Sequence, residues 1–192
     1  MTDMPVLPEA LRTRLTREGE IVRARLAEFA AVPSSEWFYE CCFCLLTPQS
    51  SAVHADAVVR ELKRIEFQRD GGDVLTVLRN PAMYIRFHNV KHARLHRLRE
   101  QWDDVRAVIE GEFPSVIDRR NTLARTVDGY GLKEASHLLR NIGFRGLAII
   151  DRHFLTNLVR CGLFPTAPSV SSTSAYLTVE RSYLDFCRSQ GV

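Results

Sequence analysis

A glycine-flanked turn between two stretches of helical periodicity restricts how this chain can fold. The apolar run that ends at Val127 is followed by Asp128-Gly129-Tyr130-Gly131, and a second helical run begins at Leu132. Two glycines around one residue permit positive φ and leave backbone N–H groups uncovered by any Cβ. Such N–H groups at a helix N-terminus attract anions, and a nucleic-acid phosphate is the obvious anion. The pattern predicts an αα-hairpin whose glycines either bind phosphate or only permit a tight turn.

The remainder of the chain also repeats its apolar residues with helical rather than alternating spacing, and no internal repeat is present. We expect an all-α fold in a single domain over residues 1–192, with the hairpin at about residues 115–142. Pro48 ends a helix that passes through Trp37 and Leu46, and the Pro/Ser-rich residues 165–173 are predicted to form a surface loop. The first helix is predicted to offer six apolar residues to the core, namely Leu11, Leu15, Ile21, Val22, Leu26 and Phe29. That first helix is predicted at residues 8–31. The remaining helices are predicted at residues 52–67, 74–79, 89–111, 114–127, 152–161 and 174–189, with the second helix of the hairpin beginning at residue 132.

Two residues near the hairpin have the chemistry of a catalytic pair. Lys133 lies in the first helical turn after Gly131, where the positive end of the helix dipole disfavours an ammonium and favours the nucleophilic amine. Asp151 follows four apolar residues and precedes an amphipathic run, so it is predicted to be an N-cap carboxylate. Taken singly, Lys133 can be a solvated charge and Asp151 a helix cap. Together they predict a nucleophile and its electrostatic partner in one cleft.

Positive charge is concentrated in one short segment of the chain, residues 86–99. The formal net charge of +3 does not by itself indicate a nucleic-acid partner. Three histidines at i, i+4 and i+8 would allow two imidazoles on one metal, but the arginines between them favour a phosphate-facing helix, and we expect no metal. The segment therefore indicates a DNA-binding surface. Its cations are Arg86, Lys91, Arg94, Arg97 and Arg99, and its histidines are His88, His92 and His96.

The N-terminus and the cysteines indicate the cellular compartment. Residues 1–5 contain neither a basic n-region nor an apolar h-region, and the long uncharged stretches 41–55 and 161–179 contain prolines. We therefore expect a cytoplasmic, nucleoid-associated protein without a membrane segment. The cysteines number five, and Cys41, Cys42 and Cys44 lie in an apolar helical run, which is typical of reduced thiols that act as small core residues.

Several motifs resemble the helix-hairpin-helix DNA glycosylase superfamily, in its lyase-competent branch. Residues 129–133, Gly-Tyr-Gly-Leu-Lys, are followed by residues 148–153, Ala-Ile-Ile-Asp-Arg-His. The string Gly-Leu-Lys-Glu-Ala-Ser-His at 131–137, with Leu-Arg-Asn-Ile-Gly at 139–143, closely resembles the archaeal-type 8-oxoguanine DNA glycosylase/lyase family. Residues 43–52 and 85–91 are similar to that family's first conserved helix and central basic helix. The resemblance runs from about residue 35 to 185 and implies two helical lobes with a cleft between them.

This resemblance implies a catalytic role for each member of the pair. Asp151 would stabilise positive charge on the sugar while the glycosidic bond breaks, and Lys133 would attack the anomeric carbon to form a Schiff base before β-elimination. The implied function is a bifunctional DNA glycosylase/AP lyase that excises an oxidised purine, most simply 8-oxoguanine, without a cofactor and as a monomer. The alternatives are a glycosylase for another damaged or modified base and a non-catalytic helix-hairpin-helix DNA-binding protein.

The resemblance also implies contacts to double-stranded DNA that contains a damaged base. A flipped nucleotide leaves a gap in the duplex, and Gln49 matches the position that supplies a gap-filling side chain. Lys91 matches a position that reaches towards the opposite strand, and His153 resembles a phosphate contact. The backbone at Gly129 and Gly131 would bind phosphate.

The C-terminal part departs from the family pattern. Relatives continue past the 174–189 helix into a further helix with an aromatic pair and end in a lysine, whereas this sequence ends at Val192 and has its tryptophans at Trp37 and Trp102. We therefore expect a more open base pocket, with robust action on abasic sites and less selective excision of 8-oxoguanine. Cys161 and Cys187 are too few for the four-cysteine iron–sulfur cluster of some superfamily members.

Overall fold

The computed structural model describes residues 5–191, and its regular structure consists of α-helices and two short 3-10 helices, without strands in that range. The predicted all-α fold is confirmed. Residues 1–4, on which the expected lack of a signal segment partly rests, and Val192 lie outside the described part. None of the described helices is long and apolar enough to cross a lipid bilayer. The helices are α1 (Glu9–Ala30), α2 (Trp37–Leu46), α3 (Ala52–Arg64), α4 (Phe67–Asp70), α5 (Val74–Arg79), α6 (His88–Glu100), α7 (Trp102–Glu110), α8 (Val116–Thr126), α9 (Leu132–Asn141), α10 (Arg152–Arg160) and α11 (Thr173–Gln190).

Two predicted helices are interrupted in the structure. The predicted helix 89–111 is divided into α6 and α7 at Gln101, whose backbone leaves the helical region with φ −99° and ψ 13°. The predicted helix 52–67 ends earlier, because Glu66 adopts a left-handed conformation with φ 49° before α4 begins. Apolar spacing continues through both breaks, so periodicity alone does not reveal a change of direction at one residue.

Helix α1 contributes less to the core than the sequence predicted. None of its residues is buried, and Ile21 and Val22 remain 70% and 49% exposed. Its contacts are concentrated near the ends of the helix. Leu11 and Leu15 line a cavity with residues of α10 and α11, whereas the Phe29 ring packs under the Arg140 guanidinium of α9. The prediction was wrong for the middle of the helix, because no element in the described part of the chain covers Ile21 and Val22.

The larger core is built around α2, which packs against α3, α6 and α9. Cys41, Cys42 and Cys44 are free and fully buried there, as predicted for small core residues. Burial raises the pKa of each of these thiols well above its ordinary value, so all three remain protonated.

A second, smaller core lies between α10, α11 and the segment that precedes α10. A buried ion pair joins it to α8: Arg120 Nη1 lies 2.7 and 2.6 Å from the two carboxylate oxygens of Glu180. Removal of one partner of such a pair typically costs about 3–5 kcal/mol, since the other charge is then left buried and alone. The two cores form the two predicted lobes, and the candidate site lies where α9 and α10 begin.

Candidate active site

The hairpin is formed by α8, α9 and the five residues between them. Gly129 has φ 91°, in the left-handed region that favours glycine, whereas Gly131 has φ −107°, which any residue can adopt. A Cβ at Gly129 would lie 2.5 Å from the Arg94 side chain. Tyr130 anchors the turn to α2, because its hydroxyl donates to the carbonyl of Cys41 at 3.0 Å. Of the two predicted glycines, only Gly129 is therefore required by backbone conformation.

Glu134 caps α9 and contacts the predicted nucleophile. Its carboxylate accepts a hydrogen bond from the Gly131 N–H at 3.1 Å, so this N–H is already satisfied. The other carboxylate oxygen lies 2.9 Å from Nζ of Lys133, whose side chain is one-third exposed. Sequence reasoning missed Glu134, although a glutamate three residues after an N-cap is a recognised capping signal.

Asp151 is the N-cap of α10, as predicted. Its Oδ1 accepts from the Phe154 N–H at 2.8 Å. The extended segment before it is held by α11: the Tyr176 hydroxyl donates to the Ala148 carbonyl at 2.7 Å and accepts from the Ile150 N–H at 3.3 Å. The position of the carboxylate is thus fixed from both sides.

Lys133 and Asp151 line the same two cavities, which meet at this pair. The first has a volume of about 690 Å³ and a cationic lining, with Gln49, Ser50, Arg86, Arg152 and His153. The second, of about 490 Å³, is the aromatic recess: Phe29, Phe43, His137 and Ile149 form part of its wall, together with the polar Arg25, Arg140 and Asn141. An amine and a carboxylate therefore stand between a cationic surface and an aromatic recess.

Two loops with unusual backbone conformations contribute Gln49, Ser50 and Arg86 to the lining of the cationic cavity. Gln49 and Phe87, neither of them glycine, have φ of 55° and 58°. Phe87 follows Arg86 and is 52% exposed. Sequence reasoning singled out Gln49 but missed Phe87 and Arg152. The available signal for Phe87 was an aromatic residue inside a basic segment.

The aromatic recess contains a histidine that is neutral at physiological pH. Burial, followed by the neighbouring Arg140 and Lys133 charges, lowers the pKa of His137 to about 4. Its ring lies edge-on to Phe43, with the centroids 5.7 Å apart. Also in the recess, the Asn141 amide donates to Glu40 at 2.8 Å, and its buried carbonyl oxygen has no hydrogen-bond partner among residues 5–191. A flat heterocycle with hydrogen-bonding edges fits such a lining.

Lys91 does not lie where the sequence predicted. It is 3% exposed, and its ammonium donates to the carbonyls of Leu46 and Pro48, each at 2.7 Å, and to Ser50 Oγ at 3.1 Å. Burial, followed by the Arg94 charge, lowers the pKa of Lys91 to about 8. The expected reach towards the opposite DNA strand is therefore corrected: the side chain faces the protein, because Lys91 belongs to the buried face of α6.

Most cations of the predicted basic segment (the basic stripe, residues 86–99) also contact the protein. Arg97 forms an ion pair with Asp128 of the hairpin, and Arg94 lies 3.8 Å from the same carboxylate. Arg99 donates to the Gln68 and Arg69 carbonyls at 3.1 and 2.8 Å. The stripe thus fastens the hairpin and α4 to α6, and Arg86 is its member in the cationic cavity. Among residues 5–191, no group of three potential ligands is placed to hold a metal ion.

Comparison with known proteins assigns the chain to a family. A family model described as 8-oxoguanine DNA glycosylase matches residues 22–192. The chain belongs to this 8-oxoguanine DNA glycosylase family. The sequence-based identification is thereby confirmed, and the match includes both lobes and the whole hairpin.

Two curated relatives share the family's name. The 8-oxoguanine DNA glycosylase/AP lyase of Fusobacterium nucleatum is 33% identical over 175 residues, which cover 86% of this chain and 79% of the relative. The protein of the same name from Methanocaldococcus jannaschii is 31% identical over 176 residues, with 86% and 80% of the two chains covered. The similarity therefore extends over most of each protein.

Solved structures from the family have the same fold. The 8-oxoguanine DNA glycosylase of Thermotoga maritima superposes with a TM-score of 0.80 at 26% identity, covering 95% of this chain and 88% of that chain. The M. jannaschii glycosylase/lyase in complex with a 15-mer DNA containing 8-oxoguanine gives a TM-score of 0.75 at 27% identity, with 94% and 87% covered. In that relative, the fold is seen with lesion DNA.

Proposed function

We propose that this chain is a bifunctional DNA glycosylase/AP lyase that excises an oxidised purine, with 8-oxoguanine as its substrate base, from double-stranded DNA. The observation that carries the proposal is the position of Lys133 and Asp151 at the junction of a cationic cavity and an aromatic recess. Family membership supports the same reaction class.

The two cavities suit the two parts of a flipped nucleotide. A base inside a duplex cannot be excised, so it must leave the stack and enter a pocket. Arg86, Arg152 and His153 in the cationic cavity provide the charges that favour the sugar–phosphate backbone. The recess beside Phe43 and His137 provides aromatic surface and polar groups for the base. The sugar is then left between them, at the amine and the carboxylate.

Asp151 acts in the first step of the proposed mechanism. The glycosidic bond breaks with its electron pair leaving on the base, and positive charge develops on the sugar. A fixed negative charge nearby stabilises that state without having to reorganise. The bond from the Phe154 N–H to Oδ1 holds the carboxylate in one orientation for this purpose.

Lys133 acts in the second step. Its amine leaves the Glu134 carboxylate, loses a proton and attacks C1′ of the sugar, and ring opening gives a protonated imine. Loss of a proton from C2′ then expels the 3′ phosphate and nicks the strand. Water finally hydrolyses the imine and releases the enzyme.

The surrounding residues position the DNA in this proposal. Gln49 fills the gap left by the extruded nucleotide, His153 contacts a phosphate beside it, and the backbone at Gly129 and Gly131 approaches the phosphates of the same strand. A single copy of the chain provides both cavities and the reacting pair, so the protein acts as a monomer.

A panel of duplex oligonucleotides tests the proposal. Each duplex carries 8-oxoguanine, another damaged base or an abasic site, and base release and strand nicking are scored separately. We expect base release from the 8-oxoguanine duplex and nicking of the abasic duplex. Binding without either reaction would identify a non-catalytic DNA-binding protein, and release of a different base would identify another glycosylase.

Gly129→Ala should weaken binding to damaged and undamaged duplex by a similar factor. A side chain there is strained at φ 91° and its Cβ would lie 2.5 Å from the Arg94 side chain, which would have to shift. Both changes disturb the turn that is proposed to approach the phosphates. Each lost phosphate contact should reduce the magnitude of the log–log salt slope by about 0.9. Fluorescence-anisotropy titrations at several salt concentrations measure both quantities.

Gly191→Ala is the matched control. Gly191 also has positive φ, at 71°, but a Cβ there has no neighbour within 4 Å and lies far along the chain from the hairpin. If both variants fold and bind with the wild-type affinity and salt slope, the Gly129 turn makes no phosphate contact.

A further inference from the structure

Lys91 is a buried cation whose partners are all uncharged. Its ammonium donates to two backbone carbonyls and a hydroxyl, and in the described part of the chain no carboxylate forms an ion pair with it. Burial of an ammonium among neutral groups is unfavourable, and an apolar side chain of similar length would avoid that cost. The three hydrogen bonds offset part of that cost, so the ammonium fastens together the groups that accept from it.

The three acceptors of Lys91 lie at the end of α2 and in the loop that follows it, which carries Gln49. Leu46 is the last residue of α2, and Pro48 and Ser50 are the two neighbours of Gln49. One ammonium thus binds the loop before and after the residue that faces the cationic cavity. A side chain at the centre of such a loop has its direction set by these contacts.

Ser50 connects this loop to a second one. Its Oγ accepts from Lys91 Nζ and also from the backbone N–H of Arg86, each at 3.1 Å. Arg86 is followed by the exposed Phe87, from which α6 begins. A single hydrogen-bonded node therefore joins the two loops that contribute Gln49 and Arg86 to the cationic cavity.

Two residues next to this hydrogen-bonded node have strained backbone conformations. Residues 5–191 contain three non-glycine residues with positive φ, and two of them, Gln49 and Phe87, are in these loops. Such conformations typically cost about 1–3 kcal/mol each and persist only where the surrounding contacts enforce them. The Lys91 and Ser50 hydrogen bonds are contacts of that kind.

We propose that Lys91 is a positioning residue, which ties the Gln49 loop to the Phe87 loop so that both side chains enter the duplex together when the base is extruded. Lys91 itself contacts neither the DNA nor the reacting atoms. This inference rests on the proposed glycosylase/lyase function.

Loss of the node should slow only those reactions in which a base must leave the helical stack. Excision from a duplex requires the gap to be filled, whereas lyase action on an abasic site in single-stranded DNA does not. Lys91→Met should therefore slow single-turnover excision from duplex DNA on the order of tenfold, equivalent to about 1.4 kcal/mol. The rate of lyase action on an abasic site in single-stranded DNA should change by less than about twofold.

Three variants form the experiment. Lys91→Met removes the ammonium, Ser50→Ala removes the hydroxyl that joins the loops, and Lys63→Met is the matched control, an exposed lysine of α3 that pairs with Glu36. Duplex excision, single-stranded lyase rate and thermal unfolding are measured for each. Fluorescence of 2-aminopurine beside the lesion reports extrusion directly.

The proposal predicts slower extrusion and duplex excision for Lys91→Met and, to a lesser extent, for Ser50→Ala, with a preserved single-stranded lyase rate. Equal losses on both substrates, or wild-type rates on both, would overturn it. If Lys91→Met does not fold, Ser50→Ala decides between the same outcomes. Failure of the wild-type protein to react with any substrate would instead refute the proposed function.

Discussion

Lys133→Gln should abolish borohydride trapping of this protein on lesion-containing DNA while duplex binding remains. Borohydride reduces the imine between the amine and the sugar to a stable bond, and glutamine cannot form that imine. Glutamine still fills the first turn of α9, where Lys133 is one-third exposed, so the helix and its cap are retained. The covalent product is scored by denaturing electrophoresis, and binding by anisotropy.

The composition of the chain makes this test sharp. It has three lysines, Lys63, Lys91 and Lys133, so few side-chain amines compete. Lys91 is the main competing amine, because burial lowers its pKa to about 8. Its ammonium, however, already donates three hydrogen bonds to the segment that carries Gln49. Lys63→Gln is the control and should trap like the wild type. Undiminished trapping by Lys133→Gln would assign the nucleophile to another amine.

Asp151→Asn should reduce single-turnover excision by ~10²-fold or more, the range observed when a charge-stabilising group is removed from an active site. The fold should remain, since an asparagine side-chain oxygen can still accept from the Phe154 N–H at the start of α10. Only the negative charge at the start of α10 is lost. Rapid-quench measurement of base release with enzyme in excess gives the rate.

The same substitution at another helix N-cap separates charge from capping. Asp73 caps α5 by accepting from the Thr76 N–H at 3.1 Å and does not line either cavity of the site. Asp73→Asn should leave the excision rate unchanged. A loss of less than severalfold for Asp151→Asn would reduce Asp151 to the role of a cap.

Local sequence signals identified the parts of the site that depend on local structure. The Gly129 turn, the start of α9 at Leu132 and the N-cap at Asp151 each follow from a few neighbouring residues, because turns and caps are determined by backbone groups close in sequence. The positions of Lys133 and Asp151 at helix starts were therefore predictable, and so was the all-α class.

Contacts between distant segments were not predictable in the same way. The acceptors of Lys91 lie 41–45 residues earlier, and Asp128 pairs with Arg97 across 31 residues. A basic segment has the same composition whether its charges face solvent or the protein. For Lys91, spacing did contain a signal: Leu95 and Leu98 share its buried face on α6. The recess formed by Phe43 and His137 likewise exists only after α2 and α9 pack together.

The buried thiols of α2 affect how the protein withstands oxidants. Phe43 of the recess has Cys42 and Cys44 as its chain neighbours, and the Tyr130 hydroxyl of the hairpin binds the Cys41 carbonyl, so damage to this helix would reach the site. Peroxides attack thiolates, and all three thiols are buried and remain protonated because burial raises their pKa. A repair protein for oxidised bases is needed when peroxide is present. The helix that carries Phe43 therefore holds its three thiols in their least reactive, protonated form.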